Sequence, residues 1–329
     1  MSIESGQNGT FGRIVDLDIP PLEYYGLVRH FNDLLQTELS KKLSDKGDWL
    51  GAAATLVTPG SDGRREKGSM ASPLEVIALV DSDVDPAMLR QTIASVLQEM
   101  SSTRVSSVEE IKGPDSRMAF FQDNPQRAQP GRIADSRLIY GSPKSVRAAK
   151  TKLGEEIVSL PRQTIVDKVE QLRKSGRQTT ERGWNRFSGT DAVHFDLEKG
   201  TVYFNPSAHQ LSFKVGPLRL VQNALLFEEV KHTRRERDTG FISTLPSGIV
   251  HRLAQLSDDR MVTLTRSSIE ELQEHYAFFL RLYHRSEEGY VQRGETVLQL
   301  TPQENEEVAR RLQSLLELMK AFKIRKQPL

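Results

Sequence analysis

Residues Leu56–Val80, LVTPGSDGRREKGSMASPLEVIALV, decide how the chain folds. The run Ala52–Val57 that leads into them is small, apolar and β-branched, and predicts a short strand. Pro59–Gly63 is glycine-serine turn chemistry, a charged excursion follows, and Leu74–Val80 predicts a second, buried strand. A strand that runs into Gly60-Ser61 offers backbone N–H groups and a hydroxyl to phosphate oxygens. Carboxylates at the head of the next strand suit a divalent cation travelling with those phosphates. Two acids separated by one residue on a strand point to the same face, so acid–x–acid is the pattern this chemistry needs. Glu75 stands at the head of that strand. Pro73 lies two residues before it, and proline can neither bind a metal nor donate to a sheet.

Composition narrows the classes. The 329 residues suffice for two ordinary domains, each with its own core. Charged residues make up 27% and the net charge is +1, without the lopsided charge of a nucleic-acid binder. The basic run Lys231–Arg237 is short and interrupted by acid, which fits a helix C-terminus entering a solvated loop. There is no cysteine, which excludes disulfides, thiolate zinc sites and cysteine nucleophiles. Apolar runs such as Val76–Val80 are too short to span a bilayer, and MSIESGQNGTFG has no secretory pattern. The expectation is a cytoplasmic protein with no membrane partner.

Working outward from the opening stretch, residues 1–12 are polar and read as a flexible tail. Pro20-Pro21 open a long helix whose apolar positions Leu22, Tyr25, Leu27, Val28, Phe31, Leu34, Leu35 and Leu39 recur at helical spacing. Asp81, Asp83 and Asp85 suit a turn and N-cap ahead of a helix over Ala87–Met100. Strand-like runs follow at Arg104–Val108 and Arg117–Phe121, then a Pro-, Gln- and Asn-rich loop over Gln122–Arg132. Ile133–Gly141 reads either as a last strand or as the entry to a helix. Beyond Pro143, helical patterns cover Ser145–Val158, Gln163–Arg182, Pro217–His232, Ser247–Leu256, Ser267–His284 and Pro302–Phe322. They are interrupted by β-like runs at Ala192–Leu197 and Thr201–Phe204. The predicted architecture is α+β: a mixed-sheet α/β domain over residues 1–142, then a mostly α-helical bundle over 143–329 with a β interlude near 192–204.

The loop resembles a known signature. Gly60, Ser61, Gly63, Arg64, Glu66, Ser72 and Glu75 are similar to the active-site pattern of bacterial PII uridylyltransferases and related nucleotidyltransferases. Three later stretches resemble the same family in the same order: Asp135-Ser-Arg137-Leu-Ile-Tyr140-Gly141, Phe213–Gln222, and Tyr276–His284 with Gln303–Ala309 downstream. The resemblance implies a transferase domain and a helical region that bind a nucleoside triphosphate with Mg²⁺ and pass its nucleoside monophosphate to a protein or small acceptor. It implies nucleotide-binding roles for Gly60, Ser61, Gly63, Arg64, Ser72, Lys214 and Arg219. Glu75 would hold the metal, with Asp135 beside it in catalysis and Glu66 as structural support. The chain departs from the family at Pro73, Pro217 and Leu220, and holds no His-Asp dipeptide of the family's metal-dependent hydrolase domain.

Plainer readings stand beside these. Glu75 on an apolar strand needs a partner, which could be a metal or Arg64 or Arg65. Asp135 suits a third acid of the site, a helix N-cap, or an ion-pair partner of Arg137. Lys214 and Arg219 fit a nucleotide or the surface, and Arg281 and His284 fit packing within the bundle. Three functions follow: an active nucleotidyltransferase with Asp62 or Asp135 replacing the missing acid, a catalytically inactive nucleotide sensor or protein-binding module, or a structural interaction protein. Losing one strong electrostatic element costs ~10²–10³ in rate, which favours the second.

Overall fold

The computed structural model describes residues 19–58, 64–66, 76–80, 85–100, 108–112, 133–159, 161, 193–196, 201–204, 214–293 and 300–325. Gly60, Ser61, Asp62, Gly63, Ser72, Pro73, Glu75, Asp81 and Asp83 lie outside these residues, as do the tail 1–12, the runs 117–132 and the helical pattern 163–182. The chain is α+β, in two compact units, each assembled from several sequence segments.

The first unit takes residues 26–160 and 233–252. Its helix α1 (Pro21–Ser44) buries Val28, Phe31, Leu35, Leu39 and Leu43, which lie three or four apart on one stripe. Leu34, expected on that stripe, is 52% exposed, one helical step to its side. A short helix α2 (Asp48–Ala53) leads into β1 (Ala54–Thr58), and β2 (Val76–Val80) pairs antiparallel with it. Every residue of both strands is buried, as expected where a strand has neighbours on both sides and packing on both faces. Helix α3 (Pro86–Met100) buries Leu89, Ile93, Val96 and Leu97 and connects β2 to the parallel strand β3 (Val108–Lys112). Of the strand expected at Arg104–Val108, residues 104–107 lie outside the described residues, and Val108 opens β3 opposite Val76. β4 (Arg137–Tyr140) pairs antiparallel with β1, which gives a mixed sheet of order β3-β2-β1-β4, so the strand within Ile133–Gly141 is Arg137–Tyr140, preceded by a helical turn at Ile133-Ala134. Gly141 turns out of β4 with φ of 100°, and a Cβ there would meet the Ala54 carbonyl and Thr55 at 2.9 Å. Helix α4 (Pro143–Ser159) completes the element order of this segment.

The second unit takes the described residues of 19–25, 161–232 and 253–325. β5 (Val193–Asp196) and β6 (Thr201–Phe204) form the expected antiparallel pair. A π-helical turn, Lys214–Leu218, contains Pro217 and opens α5 (Arg219–Glu236). The short helix α6 (Phe241–Thr244) and the first turn of α7 (Ile249–Asp258) belong to the first unit, and the rest of α7, α8 (Arg266–Arg293) and α9 (Pro302–Ala321) to the second. The Thr301 side chain accepts from Glu304 N–H and the Glu304 carboxylate accepts from Thr301 N–H, a capping box that fixes the start of α9. Arg281 and His284 pack within this unit: Arg281 donates to the Ile19 carbonyl at 2.8 Å, and buried His284 shares a 2.7 Å hydrogen bond with Tyr24. Among the described residues no helix is long and apolar enough to cross a membrane.

α8 and α9 also bury a histidine that ties stability to pH. His275 is buried, with Nδ1 3.3 Å from an Arg311 guanidinium nitrogen and Nε2 3.2 Å from a Glu271 carboxylate oxygen. Arg311 can only donate, so the neutral ring carries its proton on Nε2 and donates to Glu271. Burial, then the Arg311 charge, push the imidazole down from 6.5 to about 4, against an opposing pull from Glu271. The Ser314 hydroxyl donates to Glu271 at 2.5 Å and holds that carboxyl below its ordinary range. Between pH 6.5 and about 4 the unfolded chain therefore binds the proton that folded His275 refuses, and stability falls as pH drops through that window. Unfolding free energy plotted against pH is expected to lose close to one proton of slope there in His275→Gln. An unchanged slope would show that the imidazole is not held neutral.

Candidate functional site

Where β1 ends, the chain enters the Gly60–Gly63 segment and returns as Arg64-Arg65-Glu66, a turn in which Arg65 adopts φ of 62°. That backbone region costs an L-residue of this size about 1 kcal/mol or more, so the turn is held by what its side chains touch. Arg64 Nε donates to Glu66 Oε2 at 2.7 Å and its Nη1 donates to Asp135 Oδ2 at 2.5 Å. The second Asp135 oxygen accepts from Arg252 Nη2 at 2.6 Å. Arg252 also donates to the Ala134 carbonyl at 2.9 Å and, through Nε, to the Pro246 carbonyl at 2.6 Å. Glu66 and Arg252 are each 2% exposed and Asp135 is 8% exposed. Two carboxylates and two guanidiniums thus form a buried network that joins the turn after the loop, the turn before β4 and the first turn of α7. Charges this deep are stable only when paired in such geometry.

Each candidate residue has a place or lies outside the described chain. Arg64 and Glu66 bond to each other, and Arg64 reaches Asp135. Asp135 stands in the turn ahead of β4, not at a helix N-cap, and its ion-pair partners are Arg64 and Arg252. Arg137 instead donates to Asp33 Oδ1 on α1 at 2.9 Å, and Arg65 Nε lies 3.1 Å from the same oxygen. Lys214 opens the π-helical turn of the second unit, and Arg219 is exposed at the first position of α5. Gly60, Ser61, Gly63, Ser72 and Glu75 lie outside the described residues.

The donor set bears on the expected Mg²⁺. A divalent ion takes carboxylate lone pairs, and both Asp135 oxygens already accept from guanidiniums, as does Glu66 Oε2. These two acids do not fit a metal while Arg64 and Arg252 hold them. Among the described residues no group of three or more acid or histidine side chains is placed to hold a metal ion.

The sequence analysis assigns Arg252 no role, yet its spacing carries a signal. It lies three residues after Ile249, one before Leu253 and four before Leu256, on the apolar stripe of α7, and all three of those residues are buried. An arginine on that stripe must find a buried carboxylate or carbonyls. One further polar group is notable. The Thr58 hydroxyl at the end of β1 is buried and has no hydrogen-bond partner. No protein-family model and no curated protein sequence matches the chain.

Proposed function

We propose that the chain is a nucleotidyltransferase-like protein that binds a nucleoside triphosphate together with the Mg²⁺ it carries. Transfer of a nucleoside monophosphate to a protein or small acceptor is impaired or lost because Pro73 stands where a metal-ligating acid is needed. The observation that carries this reading is the clamp on the turn after Gly60-Ser61-Asp62-Gly63, in which Arg64 is tied to Glu66 and Asp135. Such a clamp would fix the exit of a phosphate-holding loop, as a preorganised site requires. The same clamp supports the non-catalytic side of the proposal. Asp135, a candidate to replace the missing acid, spends both oxygens on guanidiniums.

The test is calorimetry with each Mg²⁺–nucleoside triphosphate against the matching nucleoside, followed by transfer of labelled nucleotide. Triphosphate binding with little turnover is expected. Pro73→Asp is expected to raise transfer, and Glu75→Ala in that background to abolish it. Absence of triphosphate binding by the wild-type chain would sink the reading.

A further inference from the structure

A second set of cations lies on the opposite side of the Arg64-Arg65 step. While Arg64 turns inward to Glu66 and Asp135, the positive φ of Arg65 sends its guanidinium to Asp33 on α1. Arg137 reaches the same Asp33 oxygen from the first residue of β4. Arg29, one turn before Asp33 on α1, is hydrogen-bonded to His251 on α7. Thr58 is the register partner of Arg137 across the β1–β4 pair, and directly opposed residues of an antiparallel pair share a face.

The Thr58 hydroxyl and Arg65 Nε are buried without hydrogen bonds, and Arg65 Nε is near Asp33 but not aligned with it. Leaving a buried donor unused is costly, and native structures keep few such groups without a reason. The Asp33 side chain is 44% exposed, so this carboxylate, which pairs with Arg65 and Arg137, stands at the solvent edge. It is held as an oxyanion ligand would be held, by two guanidinium groups.

We propose that Thr58, Arg65 and Arg137, bordered by Arg29 and His251, form a binding site for a phosphate dianion, and that the Asp33 carboxylate occupies its mouth when the site is empty. The ligand's oxygens would take the hydrogen bonds that Arg65 Nε and the Thr58 hydroxyl lack, and Asp33 would swing into solvent. The local potential agrees in sign. Burial, then the charges of Arg29 and Arg65, push the His251 imidazole down from 6.5 to about 4. The inference does not rest on the nucleotide reading, because it uses no residue of the Gly60–Gly63 loop.

The experiment follows the His251 ring signals by NMR through a pH titration, without additive and then with inorganic phosphate, pyrophosphate or a Mg²⁺–nucleoside triphosphate. A bound phosphate anion offsets the Arg29 and Arg65 charges, even when singly charged as inorganic phosphate is at acid pH, so the His251 titration is expected to move upward from about 4. Asp33→Asn removes the competing carboxylate and is expected to tighten phosphate binding. Arg65→Gln is expected to weaken it by about tenfold, the size of one charge-assisted hydrogen bond. The two variants act with opposite signs, so a loss of folding in one cannot imitate the pattern. No shift of His251 with any of the three additives, or phosphate affinity that ignores both substitutions, overturns the proposal. Triphosphate binding that leaves His251 unmoved would overturn this site and spare the nucleotide reading. A His251 shift with phosphate and pyrophosphate, but no triphosphate binding, would do the reverse.

Discussion

Arg252→Met is expected to lower the unfolding free energy by about 3–5 kcal/mol, the range for stripping one partner from a buried ionic network. The guanidinium being removed is 2% exposed and donates to Asp135, to the Ala134 carbonyl and to the Pro246 carbonyl. Methionine fills much of the same volume, so little of the loss comes from a cavity. The cost arises because the buried Ala134 carbonyl and the part-buried Pro246 carbonyl lose a donor and Asp135 keeps Arg64 alone. Arg252→Lys is expected to recover only part of it, since one ammonium cannot reproduce a planar fork that serves a carboxylate and two carbonyls. Denaturant curves read the effect as a lower midpoint at unchanged slope. The Arg64→Met and Arg252→Met losses are expected not to add, because each changes what the other is worth to Asp135. Additive losses, or an Arg252→Met change under about 1 kcal/mol, would mean that the network does not hold these turns together.

Periodic features of the fold were legible in the sequence. Leu89, Ile93, Val96 and Leu97 mark α3, the alternation across Ala192–Leu197 and Thr201–Phe204 marks the β5–β6 pair, and the apolar run Val76–Val80 marks a buried strand. Other features were less legible, for physical reasons. Among the described strands β3, VEEIK, ends the sheet, and an edge carries charge where a central strand cannot, so its apolar signal is weak. Leu34 belongs to an apolar-rich helix but not to its buried stripe, a distinction of one hundred degrees of rotation that composition blurs.

The candidate site was legible in its local part and not in its long-range part. Arg64 and Glu66 stand two residues apart in one segment and bond to each other, where the sequence offered Glu75 as a partner of Arg64. Asp135 was also picked, with Arg137 as a natural partner because it is near in sequence. Chain direction separates them: Asp135 stands in the turn, Arg137 is already on β4, and the two ion pairs lead to α7 and α1. Partners more than a hundred residues apart, such as Asp135 and Arg252, leave no mark on local spacing. The one accessible hint is the cost of a cation on an apolar stripe, which says that a partner exists without naming it.

The same limit applies to Gly154, which resembles an ordinary weak point of a helix and is a contact point. In the middle of α4 a glycine costs about 1 kcal/mol relative to alanine, so propensity alone predicts that Gly154→Ala stabilises. Packing predicts the opposite. A Cβ at Gly154 would lie 2.1 Å from the Thr239 carbonyl oxygen, 2.7 Å from its carbon and 2.9 Å from its Cα. These are backbone atoms, and no rotamer change relieves the overlap, so α4 must move away from the turn that leads into α6. Arg234 resists that movement, because its guanidinium donates to the Ile157 carbonyl one turn further along α4 at 3.0 Å. Overpacking of a well-filled core costs 1–3 kcal/mol and sometimes more, and here it must also outweigh the propensity gain. The expected net result is destabilisation by about 2 kcal/mol, read as a lower denaturation midpoint. Gly26→Ala on α1 is the matched control. Nothing lies within 4 Å of its Cβ position, so propensity acts alone and a gain of about 0.5–1 kcal/mol is expected. Opposite signs at the two glycines would establish that α4 packs backbone to backbone on the Thr239 turn, and a stabilising Gly154→Ala would refute that contact.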